Sequence, residues 1–226
     1  MQKVIRKIID NKKISIVYAD EDTDIVVYCN SVTDDWEKII QCCNDLGCKP
    51  FHFVLISNIK WDEDLSPWPS GNVVSNDDHF EGRAKEYLQW ILDNVVPIAP
   101  QGHKLMAGYS MAGLFALYVP YISNQFEAIA SASGSVWYPK FYDYIVSHKP
   151  VVNPSSVYLS IGDKESLSKN VYLSKTVEIT RNIYEHFSAQ NVKTVFELNQ
   201  GNHFKDYELR LAKAITWMVA EQRNVE

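Results

Sequence analysis

The chain has 226 residues, 46% hydrophobic and 22% charged, proportions that suit one globular α/β domain over 1–226 and argue against disorder. Its net charge is −6, and no run of Lys or Arg forms a stripe, so nucleic acid is not an expected partner. The opening residues Met1 to Asp10 are interrupted by charges and no apolar run reaches membrane-spanning length, so neither a secretion signal nor a membrane partner is expected, and the expected location is cytoplasmic.

In chain order, Val4 to Ile9 and Lys13 to Tyr18 flank Asp10-Asn11-Lys12 and predict an antiparallel hairpin. The run Ile25 to Cys29 predicts a buried strand. Asp34 or Asp35 is placed to cap a helix whose apolar positions are Trp36, Ile39, Ile40 and Cys43, ended by Gly47. Phe51 to Ile56 predicts another strand, and Ser57 to Asp78 reads as a long irregular segment. A helix is expected from Phe80 to Val96, with Tyr87, Trp90, Ile91 and Val95 on one face. An apolar stretch at Lys104 to Ala107 is followed by a helix behind Ser110, then a strand at Phe126 to Ser131. A short helix is expected from Tyr138 to His148, a strand at Val157 to Ile161, a long helix from Asn170 to Gln190, a strand at Val192 to Leu198, and a last helix from Asp206 to Gln222. A hairpin followed by strands separated by helices predicts a mostly parallel sheet of about eight strands with helices on both faces.

Cys29, Cys42, Cys43 and Cys48 are close in sequence, but a vicinal Cys-Cys on a helix lacks the spacing of a metal site. They read as reduced thiols, and no metal or cofactor is expected.

Gly108-Tyr109-Ser110-Met111-Ala112-Gly113 lies between a predicted strand and a predicted helix, the context of a nucleophile elbow with Ser110 as the nucleophile. The strained turn needs small neighbours. Gly108 meets that need, while the second small position, usually glycine, is Ala112. The competing reading makes Ser110 a helix N-cap hydroxyl.

A serine hydroxyl needs a general base, itself oriented by a carboxylate, and in the α/β-hydrolase fold these follow in the order serine, acid, histidine. His203, in Gly201-Asn202-His203-Phe204 after the last predicted strand, is the expected base. The acid should lie in Gly162-Asp163-Lys164-Glu165. Counting three from Gly162, as in the G-x-x-D turn of many such hydrolases, reaches Glu165, with Asp163 as the alternative. A tetrahedral intermediate needs fixed N–H donors. Met111, at the positive end of its helix, supplies one. The second is expected from Ser31 or, failing that, Asn30.

Ser66-Pro67-Trp68-Pro69, the elbow run, Ser133-Gly134-Ser135-Val136-Trp137-Tyr138, Leu159 to Glu165 and Gly201 to Phe204 together resemble small bacterial esterases of the α/β-hydrolase superfamily, including enterobactin-esterase-like and feruloyl-esterase-like proteins. The resemblance covers nearly the whole chain and implies hydrolysis of a small-molecule carboxylic ester through an acyl-enzyme. A thioesterase or acyltransferase would use the same triad, and a non-catalytic binding protein could keep the fold. The short stretch between Ile129 and Val157 leaves no room for a large lid. The open cleft is expected to be walled by Tyr109, Trp61, Trp68 and Trp137, though the tryptophans could equally be core residues.

Overall fold

The computed structural model describes residues 2–71, 73–75 and 79–222. Strands β1 (Val4–Ile9) and β2 (Lys12–Val17) form the expected hairpin. Its turn residues Asp10 and Asn11 both have positive φ, 49° and 65°, the backbone hand that matches the twist of a two-residue hairpin. Then come β3 (Ile25–Asn30), α1 (Trp36–Asp45), β4 (His52–Ser57), α2 (Trp61–Asp64), and the short strands β5 (Pro69–Gly71) and β6 (His79–Glu81). They are followed by α3 (Ala84–Asn94), β7 (His103–Tyr109), α4 (Met111–Ile122), β8 (Ala128–Ala132) and α5 (Phe141–Ser147). The chain continues through β9 (Ser156–Gly162), α6 (Thr176–Ala189), β10 (Lys193–Asn199) and α7 (Tyr207–Gln222).

The main sheet has eight strands in the order β1-β2-β4-β3-β7-β8-β9-β10. It is antiparallel from β1 to β4 and parallel from β4 to β10. The inner parallel strands are buried on both faces, which is why β3, β8 and β9 read as continuous apolar or small-residue runs. Alternation along β3 assigns the layers. Val26 and Tyr28 pack with α3, α4 and α6, while Val27 and Cys29 pack with α1 and α7. The parallel strands run in one direction, so the turns after β3, β7, β8, β9 and β10 gather at one end of the sheet, where ligands of open α/β sheets bind.

Four local expectations need correction. The segment read as irregular carries α2 and the first strand of the β5–β6 pair, elements too short to show a period, while positions 72 and 76–78 lie outside the described residues. Phe80 belongs to β6 and not to a helix; α3 begins only at Ala84, whose N–H donates to the Ser66 carbonyl. Neither Asp34 nor Asp35 caps α1 through its side chain: Asp34 accepts from Ser15 Oγ at 2.8 Å and Asp35 from Thr33 Oγ1 at 3.0 Å. The stretch after Asn170 forms a 3₁₀ turn at Leu173–Lys175 before α6 begins.

Between β8 and β9 the chain places only α5, so no large lid rises there. Among the described residues no helix is long and apolar enough to cross a membrane.

Candidate active site

Leu105 to Gly108 drive β7 through the core, and the chain then reverses at Ser110 with φ 58° and ψ −124°. A non-glycine residue at positive φ costs on the order of 1–3 kcal/mol and persists only where its surroundings hold it. They do so here: Ser110 N–H donates to the Ala132 carbonyl at 3.3 Å, and the Ser110 carbonyl accepts from Gly113, Leu114 and Ser135 N–H at 3.0–3.1 Å. A Cβ on Gly108 would fall 2.1 Å from the Ala112 carbonyl oxygen, so only glycine lets the helix return over its strand. The second close approach belongs to Gly113, where a Cβ would lie 2.9 Å from Gly134 Cα. Ala112, one residue earlier, is buried without needing that clearance.

The Ser110 hydroxyl makes no helix-capping bond. Its Oγ lies 3.1 Å from His203 Nε2 and 3.3 Å from Ser135 Oγ. His203 sits on the turn between β10 and α7, and its Nδ1 is 2.7 Å from Glu165 Oε2. The structure therefore joins Ser110, His203 and Glu165 in one hydrogen-bonded line. The histidine loop is pinned at several points: Gly201 N–H donates to Asp163 Oδ1 at 2.7 Å, Lys164 N–H to the Gly201 carbonyl at 3.1 Å, and Tyr109 OH to the His203 carbonyl at 2.6 Å. Asp163 thus holds the loop backbone, whereas Glu165 faces the imidazole.

The Glu165 side chain is 4% exposed. Its Oε1 accepts Gly162 N–H at 2.7 Å and Arg210 Nη1–H at 3.0 Å, leaving Oε2 for His203. Burial pushes the Glu165 carboxyl up, but hydrogen bonding to His203 and its charge, then the Gly162 N–H and the Ser133 hydroxyl, outweigh burial and hold it below the ordinary glutamate value. Burial raises the Tyr109 phenol, which keeps it protonated and able to donate. A Cβ on Gly162 would press on the Gly201 carbonyl at 2.3 Å and on Glu165 Oε1 at 2.9 Å, so glycine is what lets the acid turn close.

A cleft of about 340 Å³ opens over Ser110 and His203, walled by Asn30, Ser31, Val32, Thr33, Trp61, Tyr109, Phe204, Tyr207 and Leu211. Its wall is mainly apolar, and Phe204 and Val32 stand exposed at the rim. Trp61 and Tyr109 occupy the expected wall. Trp68 and Trp137 do not line it. Trp68 donates its indole N–H to the Pro139 carbonyl at 3.1 Å within a cluster of Tyr118, Tyr138, Phe141 and Tyr144, and Trp137 packs against Phe80.

No protein-family model matches the chain. Over 179 residues it is 24% identical to the uncharacterized protein YbbA of Bacillus subtilis, covering 72% of this chain and 70% of that one. Among solved structures it is similar to the siderophore hydrolase EstA of Aspergillus nidulans, with TM-score 0.75 and 16% identity over 97% of this chain and 94% of the other. It is also similar to an IroE-like serine hydrolase of Shewanella oneidensis, with TM-score 0.74 and 14% identity over 96% of this chain and 79% of that one. The chain has the α/β-hydrolase fold.

Within that fold, the first N–H of the elbow helix and one from the turn after β3 face the nucleophile's substrate. Met111 N–H, first in α4, has no carbonyl within the helix to meet. Ser31 needs correction, because its N–H is already donated to the Ile56 carbonyl at 2.9 Å as β3 pairs with β4. Asn30 is held within β3 between β4 and β7, and its Oδ1 accepts from Tyr87 OH at 2.5 Å. Val32, next in the turn and in the cleft wall, follows the last ladder bond. Sequence reasoning missed it because the ladder's end is set by pairing with β4, which residue type does not reveal. Arg210 was also missed, since an arginine on an amphipathic helix ordinarily reads as surface.

Proposed function

We propose that this protein is a serine hydrolase that cleaves a small carboxylic ester through an acyl-enzyme. The observation that carries the proposal is the unbroken line from Ser110 Oγ through His203 to Glu165 at the mouth of an apolar cleft. In this reading His203 Nε2 takes the Ser110 proton as Oγ attacks the ester carbonyl, and Glu165 keeps the proton of the resting imidazole on Nδ1 and stabilises the imidazolium. The oxygen of the tetrahedral intermediate is held by Met111 N–H and, in place of Ser31, by Val32 N–H. His203 then protonates the departing alcohol. A water molecule, deprotonated in turn by His203, releases the acid from Ser110.

The names of the structural neighbours support an ester substrate: one is a siderophore hydrolase and another a ferulic acid esterase. The four free cysteines suit a reducing compartment, and we place the reaction in the cytoplasm. The test is turnover of acyl esters of graded chain length with sugar and aryl alcohols, by the wild type and by Ser110→Ala. The reading expects hydrolysis by the wild type alone, and equal turnover by both would refute it.

A further inference from the structure

Arg210 lies on α7 with its side chain 2% exposed, beside Leu211 and Ala214 on the buried stripe of that helix. A cation taken out of water costs several kcal/mol, and even when paired it stabilises a fold no better than an apolar side chain of similar volume. Packing alone therefore gives no reason for arginine at this position. The reason lies in what the guanidinium touches. Nη1 donates to Glu165 Oε1 and to Ser133 Oγ, each at 3.0 Å, and reaches Tyr109 OH at 3.5 Å. Nη2 donates to the Gln200 carbonyl at 3.2 Å. Tyr109 ends β7 immediately before Ser110, Ser133 follows β8, Glu165 follows β9, and Gln200 opens the turn that carries His203. One planar fork thus ties together the ends of four neighbouring strands, among them those that carry all members of the proposed triad.

Resting on the triad reading above, we infer that Arg210 is the positioning residue of this site: it holds Glu165 Oε1 so that Oε2 meets His203. Its action is placement and not charge. A positive charge behind Glu165 disfavours the imidazolium that forms in the transition state, so an electrostatic role alone would make the enzyme faster without Arg210. Placement makes it slower, because displacement of reacting groups by about an ångström costs on the order of a hundredfold.

The test is a kinetic cycle on an activated ester with Arg210→Met, Glu165→Gln and the double variant. We expect Arg210→Met to lower kcat by about ten- to a hundredfold with KM within about threefold. In the Glu165→Gln background the same change should lower kcat by less than about threefold, since the group it positions is already lost. Arg210→Lys keeps the charge but cannot span Glu165, Ser133 and Gln200 together, and its kcat should fall between wild type and Arg210→Met. If Arg210→Met does not fold, the cycle is run with Arg210→Lys, with the same non-additivity expected. A kcat within twofold of wild type, or a loss that persists undiminished in the Glu165→Gln background, overturns the inference while leaving the triad standing. Unimpaired turnover by Ser110→Ala would overturn the triad reading itself.

Discussion

Replacing Glu165 by glutamine keeps the size and shape of the side chain, yet the surrounding donors dictate which way its amide points. Oε1 accepts from both Gly162 N–H and Arg210 Nη1–H, so the amide oxygen must occupy that position. The amide NH₂ then faces His203 Nδ1, 2.7 Å from where Oε2 stood. A donor there makes Nδ1 the acceptor and puts the imidazole proton on Nε2, facing Ser110, where it cannot take the hydroxyl proton. A wrong tautomer in intact geometry costs on the order of 10⁴ in kcat, or about 5.5 kcal/mol at about 1.4 per decade. Asp163→Asn keeps an oxygen for its one backbone partner, Gly201 N–H, and should lower kcat by no more than a few-fold. Steady-state kinetics of both variants on an activated ester, with circular dichroism to confirm folding, makes the comparison. A Glu165→Gln variant within about tenfold of wild type, or an Asp163→Asn variant that is the slower of the two, would refute the reasoning and move the acid's role to Asp163.

Gly108→Ala places a Cβ 2.1 Å from the Ala112 carbonyl, backbone that cannot yield, so a loss of about 3 kcal/mol is expected. At about 2–4 °C per kcal/mol this lowers Tm by about 10 °C in a thermal melt. Glu165, with its folded value held low, contributes stability that is fully present above the unfolded value of about 4.3 and is lost as pH falls through the lower folded value. The stability gap between wild type and Glu165→Gln, read from urea midpoints, should therefore narrow on acidification below about pH 4. His203→Ala should lose nearly all turnover. His148→Ala and His186→Ala should keep it within a few-fold, because His148 stacks on Tyr144 and His186 contacts Gln190, both away from the cleft.

The readable parts of this chain are those where one physical requirement acts on neighbouring residues. Doubly buried strands need continuous apolar runs, as at Ile25 to Cys29, and the elbow needs glycine before its serine. Gly162 and Glu165 fall within one turn, so a short spacing rule reached the carboxylate that faces His203. The unreadable parts depend on partners far away in sequence. Whether Ser31 has a spare N–H depends on Ile56, twenty-five residues on, through the pairing of β3 with β4. Arg210 is buried only because Glu165, Ser133 and Gln200 meet it from three different turns. Trp68 looks like a cleft residue until Pro139 and the tyrosines of α4 and α5 claim it. Strands of three residues, such as β5 and β6, are too short to carry a period.

The central claim is that Ser110 carries the acyl group between two half-reactions, and intact-mass spectrometry of rapidly quenched protein tests it most directly. Mixed with a slowly deacylating aryl ester, the wild type should gain the mass of the acyl group less one proton within the first turnover, and peptide mapping should place it on Ser110. His203→Ala should gain it far more slowly, and Ser110→Ala should not gain it. Turnover with no adduct on Ser110, or an adduct that forms equally in Ser110→Ala, would contradict the account.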